Sequence, residues 1–576
     1  MRILLTAMLA GLAITVQAAT FEPEWGRDGM VVTSVAPAAQ AGHDMLARGG
    51  NAVDAAIAVS FAASVAHPFS SGLGGGVFAV SYWAETGEVR TLDGREAAPA
   101  SASPEFYEQN PEAIRSGKYS VGVPGLVQSL WALHHEYGSL PWADLVEPAI
   151  DLAENGVVVG DWHRWALERV VDALAEYPET RRVQTLDGKV FPLGWQFKQP
   201  DLANTLRHIQ EHGGSALALG RYAEKIEAAT DGVVTQLDLA RYRPIWREPI
   251  RGSYRGYEVV SMPPPSSGGI LLVQMLNMLE GQDLTAFGHG SGDYVHLVAS
   301  VMKLAFEDRA ELLGDSDFFD VPVERLVSKA YAAQQFARYR PNGQPVPRSD
   351  VVPVDEDEGT TQISVMDRFG NAISLTQTIN TILGSKITVP GTGIVLNNEL
   401  DDFSVGPELP NAWEAVGSAA NSIAPFKRPL SSMTPTLVLR DGRPVMVAGS
   451  PMGTTIISSV LQAMVNVIDF GFDVQRAVQS PRFHHQWSPD RLRIEPEFPT
   501  EVRAVLQSRG HELQETAFFG AVQLIHYDPE TCLFRGGADG RRDSAAMGVN
   551  VRPVPLPSEE VACTLPAPEA VQAAAN

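Results

Sequence analysis

The sequence predicts a mixed α/β fold, and three patterns predict it. Before Thr360, helical stretches alternate with Gly/Pro-rich turns; just after it the pattern becomes the two-residue alternation of strands; near residue 450 a tight glycine loop leads into an apolar helical stripe. With 576 residues and 44% hydrophobic composition the chain has ample length for a large core, and length alone would suggest several domains.

In chain order, Met1 to Ala18 opens with Arg2, runs apolar from Ile3 to Val16 and ends in Val16-Gln17-Ala18, a small-residue site of signal-peptidase type. The run is short for a bilayer span, so the mature chain is expected to start at Ala19, with no membrane span, in the periplasm of a Gram-negative source or secreted. Ala38 to Ala66 is Ala-rich and reads as helix. A glycine turn at Gly72 to Gly76 follows, then a strand pair around Val77 to Tyr82 and Glu88 to Leu92. Tyr294 to Leu313 places Val295, Val298, Val301, Met302, Ala305 and Phe306 at helical period. Arg340 to Gly359 holds four prolines and the run Asp355-Glu356-Asp357-Glu358, the composition of an exposed connector.

Beyond the connector, Ile363 to Asp367 and Ala372 to Ile379 read as strands around the turn Arg368-Phe369-Gly370-Asn371. Side chains two apart share a face, so Thr376, Thr378 and Asn380 fall on one side and Leu375, Gln377 and Ile379 on the other. Val445 to Ala448 is a strand, Gly449 to Gly453 a tight loop, and Ile456 to Phe470 a helix buried through Ile457, Val460, Leu461, Met464 and Ile468.

Charge and composition exclude several function classes. The 44 basic and 68 acidic residues give a formal charge of −24, which disfavours nucleic acid and anionic membrane surfaces as partners. Cys532 and Cys563 are too few for a disulfide scaffold, and the sequence leaves open whether they pair. His484-His485 are adjacent and lack the helical spacing of two metal ligands, so they read as a packed, hydrogen-bonded pair; neither a metal nor a cofactor is expected.

The chemistry centres on Glu358-Gly359-Thr360-Thr361. A threonine hydroxyl is a weak nucleophile until a base lies within hydrogen-bond reach, and a free α-amine with a reference pKa of roughly 7.7 to 8.0 is such a base. Scission of Gly359-Thr360 would create nucleophile and base on one residue.

Downstream of that bond stand, in this order, the runs Thr376-Gln377-Thr378-Ile379-Asn380, Asn397-Asn398-Glu399-Leu400-Asp401-Asp402-Phe403, Arg428-Pro429-Leu430-Ser431-Ser432-Met433, Gly449-Ser450-Pro451-Met452-Gly453 and Pro481-Arg482-Phe483-His484-His485. Upstream stand Ser71-Gly72-Leu73-Gly74-Gly75-Gly76, Arg95-Glu96-Ala97-Ala98-Pro99, Val123-Pro124-Gly125, Met262 to Gly269 and Lys303 to Arg309. Together these motifs resemble the γ-glutamyltransferases, a family of N-terminal-nucleophile hydrolases, over nearly the whole mature chain.

The resemblance implies a four-layer αββα sandwich formed by two chains cut from one precursor. The large subunit would be 19–359 and the small catalytic subunit 360–576, paired as a heterodimer in one intertwined domain after loss of the signal peptide 1–18. It implies Thr360 as nucleophile and as the residue that cuts its own bond to Gly359. Thr378 is implied as its hydrogen-bonding neighbour, and the backbone of Met452 and Gly453 as the oxyanion hole. Substrate contacts are implied for Asn380, for Glu399 and Asp402 toward an α-amine, and for Ser431 and Ser432 toward an α-carboxylate. A lid over Gly406 to Asn421 would present Trp413 where a tyrosine is common.

The implied activity is hydrolysis or transfer of the γ-glutamyl group of glutathione-type compounds through a threonyl ester, with water or an amino acid as acceptor. Two departures matter. Met452 replaces a usual glycine, and its side chain is expected either to narrow the pocket or to conflict with a glycine-only backbone. The arginine that usually follows the Arg95-to-Pro99 motif is absent, with none before Arg115, so carboxylate recognition is expected to weaken unless Arg95 substitutes. These departures support an alternative, a glutaryl-amide acylase of the cephalosporin type, whose acyl group lacks the amine.

Overall fold

Two strands with opposite lessons on their two faces decide the architecture. Along Thr361–Asp367 and Ala372–Thr378, the side chains Ile363, Val365, Ile373 and Leu375 join an apolar cluster with the helix Ala52–Ala66, whereas Gln362, Ser364, Ser374 and Thr376 point the other way. Both strands are buried from end to end, so the polar face is covered too. In this computed structural model, which describes residues 22–344, 359–404, 411, 412 and 414–551, a second sheet covers it.

The result is the αββα sandwich. One seven-stranded sheet runs in the order Ala545–Val549, Gly29–Thr33, Thr361–Asp367, Ala372–Thr378, Gly76–Trp83, Glu88–Gly94, Ile245–Arg247. The other runs Glu24–Gly26, Leu533–Ala538, Gln523–Asp528, Arg443–Gly449, Thr436–Arg440, Tyr257–Ser261, Ile250–Tyr254. Ala36–Ala47, Ala52–Ala66 and Trp142–Asn155 lie outside the first; Gly268–Leu279 and Thr455–Ile468 lie outside the second.

Where the sheets meet, polar side chains find backbone partners, as buried polar groups must. Ser364 Oγ donates to the Gln523 carbonyl and Ser374 Oγ to the Ala448 carbonyl, each at 2.9 Å, while Gln362 Nε2 reaches Ser374 Oγ at 2.9 Å. Strands from both sides of Gly359 share the first sheet: Thr361–Asp367 and Ala372–Thr378 lie side by side between Gly29–Thr33 and Gly76–Trp83.

One element differs from its sequence reading. The expected single helix over Ala38 to Ala66 is two, Ala36–Ala47 and Ala52–Ala66. Gly49 turns the chain at φ +94°, and the Asn51 side chain accepts from the N–H groups of Val53 and Asp54, capping a new start. Ala-rich composition carries helical propensity on either side of such a break and so hides it. The expected signal segment, the acidic end of the connector, residues 406–410 and Trp413 lie outside the described residues, as does Cys563, which the pairing question requires. Among the described residues no helix is long and apolar enough to cross a membrane.

Candidate active site

Thr360 sits at the head of the central strand Thr361–Asp367 and is buried. Its hydroxyl lies 3.0 Å from that of Thr378, at the end of the adjacent antiparallel strand. The pairing of Thr361 with Gln377 sets that distance, because it brings the flanking residues of the two strands level. The Asn380 N–H donates to Thr378 Oγ1 at 2.8 Å, and either threonine hydroxyl can be the donor in the 3.0 Å pair. Arg542 Nη1 donates to the Thr360 carbonyl at 2.8 Å and fixes the residue's main chain.

Gly359 packs against the backbone of the Asn380–Thr381 segment. A Cβ there would stand 2.6 Å from the Asn380 oxygen and 2.8 Å from that of Thr381, so only glycine fits before Thr360.

The loop between the strand Arg443–Gly449 and the helix Thr455–Ile468 brings Gly453 to the same pocket. Gly453 has φ +52° and Met452 φ +95°. Among the described residues, no acceptor takes the N–H of either residue. The expectation that Met452 would narrow the pocket is not met: its side chain is buried, its Sδ accepts the Gly520 N–H at 3.0 Å, and it is absent from the pocket wall. The backbone conflict is real, since methionine holds a positive φ that favours glycine.

The far wall holds Arg95, Arg309, Glu399, Asp402, Ser431 and Ser432. Arg95 pairs through Nη1 with Glu399 and through Nη2 with Asp402, while Nε donates to the Pro429 carbonyl at 3.2 Å. All three charged side chains are almost wholly buried. Burial pushes the carboxyl groups of Glu399 and Asp402 above their ordinary range, and the Arg95 guanidinium opposes that rise. Beside them Glu96 is fully buried with no hydrogen-bond partner in another described residue, and desolvation raises it to about 8.

Ser431 and Ser432 are held by the Pro-Ser-Ser segment upstream. The Ser431 carbonyl accepts from Ser267 N and Ser267 Oγ, each at 2.8 Å, and Ser432 Oγ accepts from Arg309 Nη2 at 3.1 Å. The sequence assigned Arg309 no role; it stands within the Lys303-to-Arg309 motif, and its meeting with Ser432 is a matter of packing alone. Arg542 had no signal at all. Arg115, the next arginine after Arg95, goes to Asp401 at 3.3 Å and does not line the pocket. Asn380 and Thr378 line it together with Thr360.

His484 is hydrogen-bonded through Nδ1 to Ser458 Oγ at 2.8 Å and through Nε2 to Gln486 Oε1 at 2.9 Å, while His485 Nε2 lies 3.2 Å from Asp490. Burial lowers His484 to about 3, which keeps its ring neutral at physiological pH.

The model of the family described as gamma-glutamyltranspeptidase matches residues 38–549. The chain is 39% identical over 566 residues to the glutathione hydrolase proenzyme of Escherichia coli (strain K12), covering 94% of this chain and 97% of that protein. It is 37% identical over 546 residues to the acylase ACY 1 proenzyme of Pseudomonas sp. (strain SE83), covering 92% and 95%. Among solved structures, the cephalosporin acylase from Bacillus halodurans aligns with a TM-score of 0.82 at 30% identity, over 94% of this chain and 99% of that one. The Helicobacter pylori gamma-glutamyltranspeptidase aligns with a TM-score of 0.53 at 38% identity, over 54% and 91%.

Proposed function

The chain belongs to the gamma-glutamyltranspeptidase family, and from that premise we propose a self-cleaving enzyme that hydrolyses or transfers the γ-glutamyl group of glutathione-type amides. The observation that carries this reading is the Thr360–Thr378 hydroxyl pair at 3.0 Å, in the same pocket as Gly453.

In maturation, Thr360 Oγ1 attacks the Gly359 carbonyl, and the acyl group moves from nitrogen to oxygen. Water then hydrolyses the ester, leaving a carboxylate on Gly359 and a free amine on Thr360. In turnover that amine takes the hydroxyl proton as Oγ1 attacks the substrate amide, and the same proton leaves with the departing amine. The oxyanion formed on attack faces the N–H groups of Met452 and Gly453; removing one such donor from a comparable hole costs about 3–4 kcal/mol. Thr378 donates to the reacting oxygen. Water or an amino acid then attacks the threonyl ester and releases the acyl group. No step requires a metal or cofactor.

Under this reading the large chain is 19–359 and the small chain 360–576, they remain associated as a heterodimer, and an N-terminal signal directs export to the periplasm or beyond. Asn380, Glu399, Asp402, Ser431 and Ser432 bind the acyl portion.

One observation favours a second reading, a glutaryl-amide acylase. Arg95 already neutralises Glu399 and Asp402, so a substrate ammonium finds less negative charge than two free carboxylates would offer. Rates with γ-glutamyl and glutaryl p-nitroanilides separate the two: faster release from the γ-glutamyl compound supports the first reading, and equal or faster release from the glutaryl compound replaces it with the second. Thr360→Ala is expected to remain one uncut polypeptide on a denaturing gel; normal two-chain processing of that variant would refute self-cleavage.

A further inference from the structure

Arg309 differs from Arg95, the other cation lining the pocket, in what surrounds it. It rises from the helix Gly292–Leu312, is 6% exposed and forms part of the wall of the cavity that holds Thr360. Its Nε donates to Ser267 Oγ and its Nη2 to Ser432 Oγ, each at 3.1 Å. Both partners are neutral hydroxyls. Among the described residues no carboxylate lies within ion-pair distance of it, although Arg95 beside it holds two.

A guanidinium has five N–H donors, and two of these are engaged. A buried charge without a counter-ion is strongly unfavourable, and proteins keep one where a ligand completes it. Burial lowers Arg309 to about 10, with Arg95 adding to the fall and Asp402 opposing it, so the side chain stays charged at neutral pH. Asp402 is the acid that acts on it from a distance, but that carboxylate is bound to Arg95 Nη2 and to Asn411 Nδ2.

We propose that Arg309, together with the Ser432 hydroxyl it orients, is the carboxylate anchor of the acyl-donor pocket and supplies the positive charge missing between Pro99 and Arg115. This rests on the reading of the chain as an enzyme acting on γ-glutamyl or glutaryl amides. It makes the carboxylate the dominant recognition element of the acyl group. Arg95 is a poor candidate for that task because Glu399, Asp402 and the Pro429 carbonyl already take its Nη1, Nη2 and Nε. A donor lacking the amine should therefore remain a substrate, and a donor lacking the carboxylate should not.

The test uses three p-nitroanilides that differ in those two groups: γ-glutamyl, glutaryl and 4-aminobutanoyl. In the mature wild-type enzyme kcat/KM for the 4-aminobutanoyl compound is expected to be at least ~100-fold below the better of the other two, as for loss of one buried charge-assisted pair. Arg309→Gln should raise KM for the carboxylate-bearing donors by roughly 30-fold or more and leave the 4-aminobutanoyl rate within about threefold, so that discrimination collapses. Two-chain processing of the same preparation reports whether the variant folds. If it does not mature, Arg309→Lys serves instead: a compact ammonium lacks the wide planar fork that spans Ser267, Ser432 and a ligand, so KM should rise about tenfold with kcat within threefold. Unchanged KM in a matured variant, or an equal loss on all three donors, overturns the proposal. A wild-type enzyme that matures but releases nitroaniline from none of the three defeats the underlying functional reading instead.

Discussion

Met452 Sδ accepts the Gly520 N–H at 3.0 Å, and this contact accompanies a methionine held at φ +95° in the loop that leads to Gly453. A non-glycine residue there carries strain of about 1–3 kcal/mol, offset by burial of the side chain. Met452→Gly loses the packing and relieves the strain; Met452→Ala loses the packing and keeps it. The glycine variant is therefore expected to be the more stable of the two, by about 1 kcal/mol, reversing the usual order of alanine and glycine. Thermal midpoints of the matured proteins decide this, and an alanine variant that melts higher would contradict it. Because the oxyanion donor is main chain, kcat of the glycine variant should stay within about threefold of wild type.

Gly359→Ala places a methyl group against the carbonyl oxygens of Asn380 and Thr381. It should slow maturation at least tenfold, since a misplacement of about 1 Å at an attacking pair has a large kinetic effect. After the cut this residue is the free end of the large chain. Turnover per processed active site is therefore expected to match wild type, which a gel time course combined with active-site titration can establish.

Thr378→Val removes one hydroxyl and keeps the shape of the side chain. The Asn380 N–H loses its acceptor and the Thr360 oxygen its neighbour at 3.0 Å. The expected outcome is a kcat lowered by about 10- to 100-fold with KM nearly unchanged, because the contact is made to the reacting oxygen. A main effect on KM would place Thr378 in binding instead.

Glu96 gives a pH dependence with a definite sign. Desolvation raises its folded-state pKa to about 8, against 4.5 for the ordinary group, so the folded state holds its proton longer than the unfolded state. The stabilisation is complete below about pH 4.5 and is lost as pH rises through about 8. Glu96→Gln removes this dependence. It should be close to neutral at pH 5 and more stable than wild type at pH 9, by at most about 5 kcal/mol, the full shift from 4.5 to about 8. Parallel denaturation curves at the two pH values with equal differences between the proteins would show that the carboxyl does not titrate in this way.

Much of the molecule was legible in the order of its residues. The strands on either side of Arg368-Phe369-Gly370-Asn371 follow from their alternation, and the helix after Gly453 follows from its apolar stripe. Both signals are local, because side-chain direction repeats within a single element. The break at Gly49 to Asn51 was not legible, because Ala-rich sequence favours helix on both sides of it and only the cap geometry reveals the stop. Glu399 and Asp402 looked like free acids for an amine, and their partner Arg95 lies some 300 residues earlier in the chain.

The sequence by itself marked the place where we propose that the chain becomes a catalyst: a threonine after a glycine at the entrance to a strand, followed by the hydroxyl, amide and glycine-loop motifs in order. Only the tertiary structure decided the charge of the pocket. Stacking the two sheets brings the Ser431–Ser432 loop against the helix that carries Arg309, and the same stacking closes Arg95 onto Glu399 and Asp402. Periodicity describes what one element presents to its surroundings, whereas the pairing of buried charges depends on which distant elements share a face. Residue order leaves that choice open and packing fixes it.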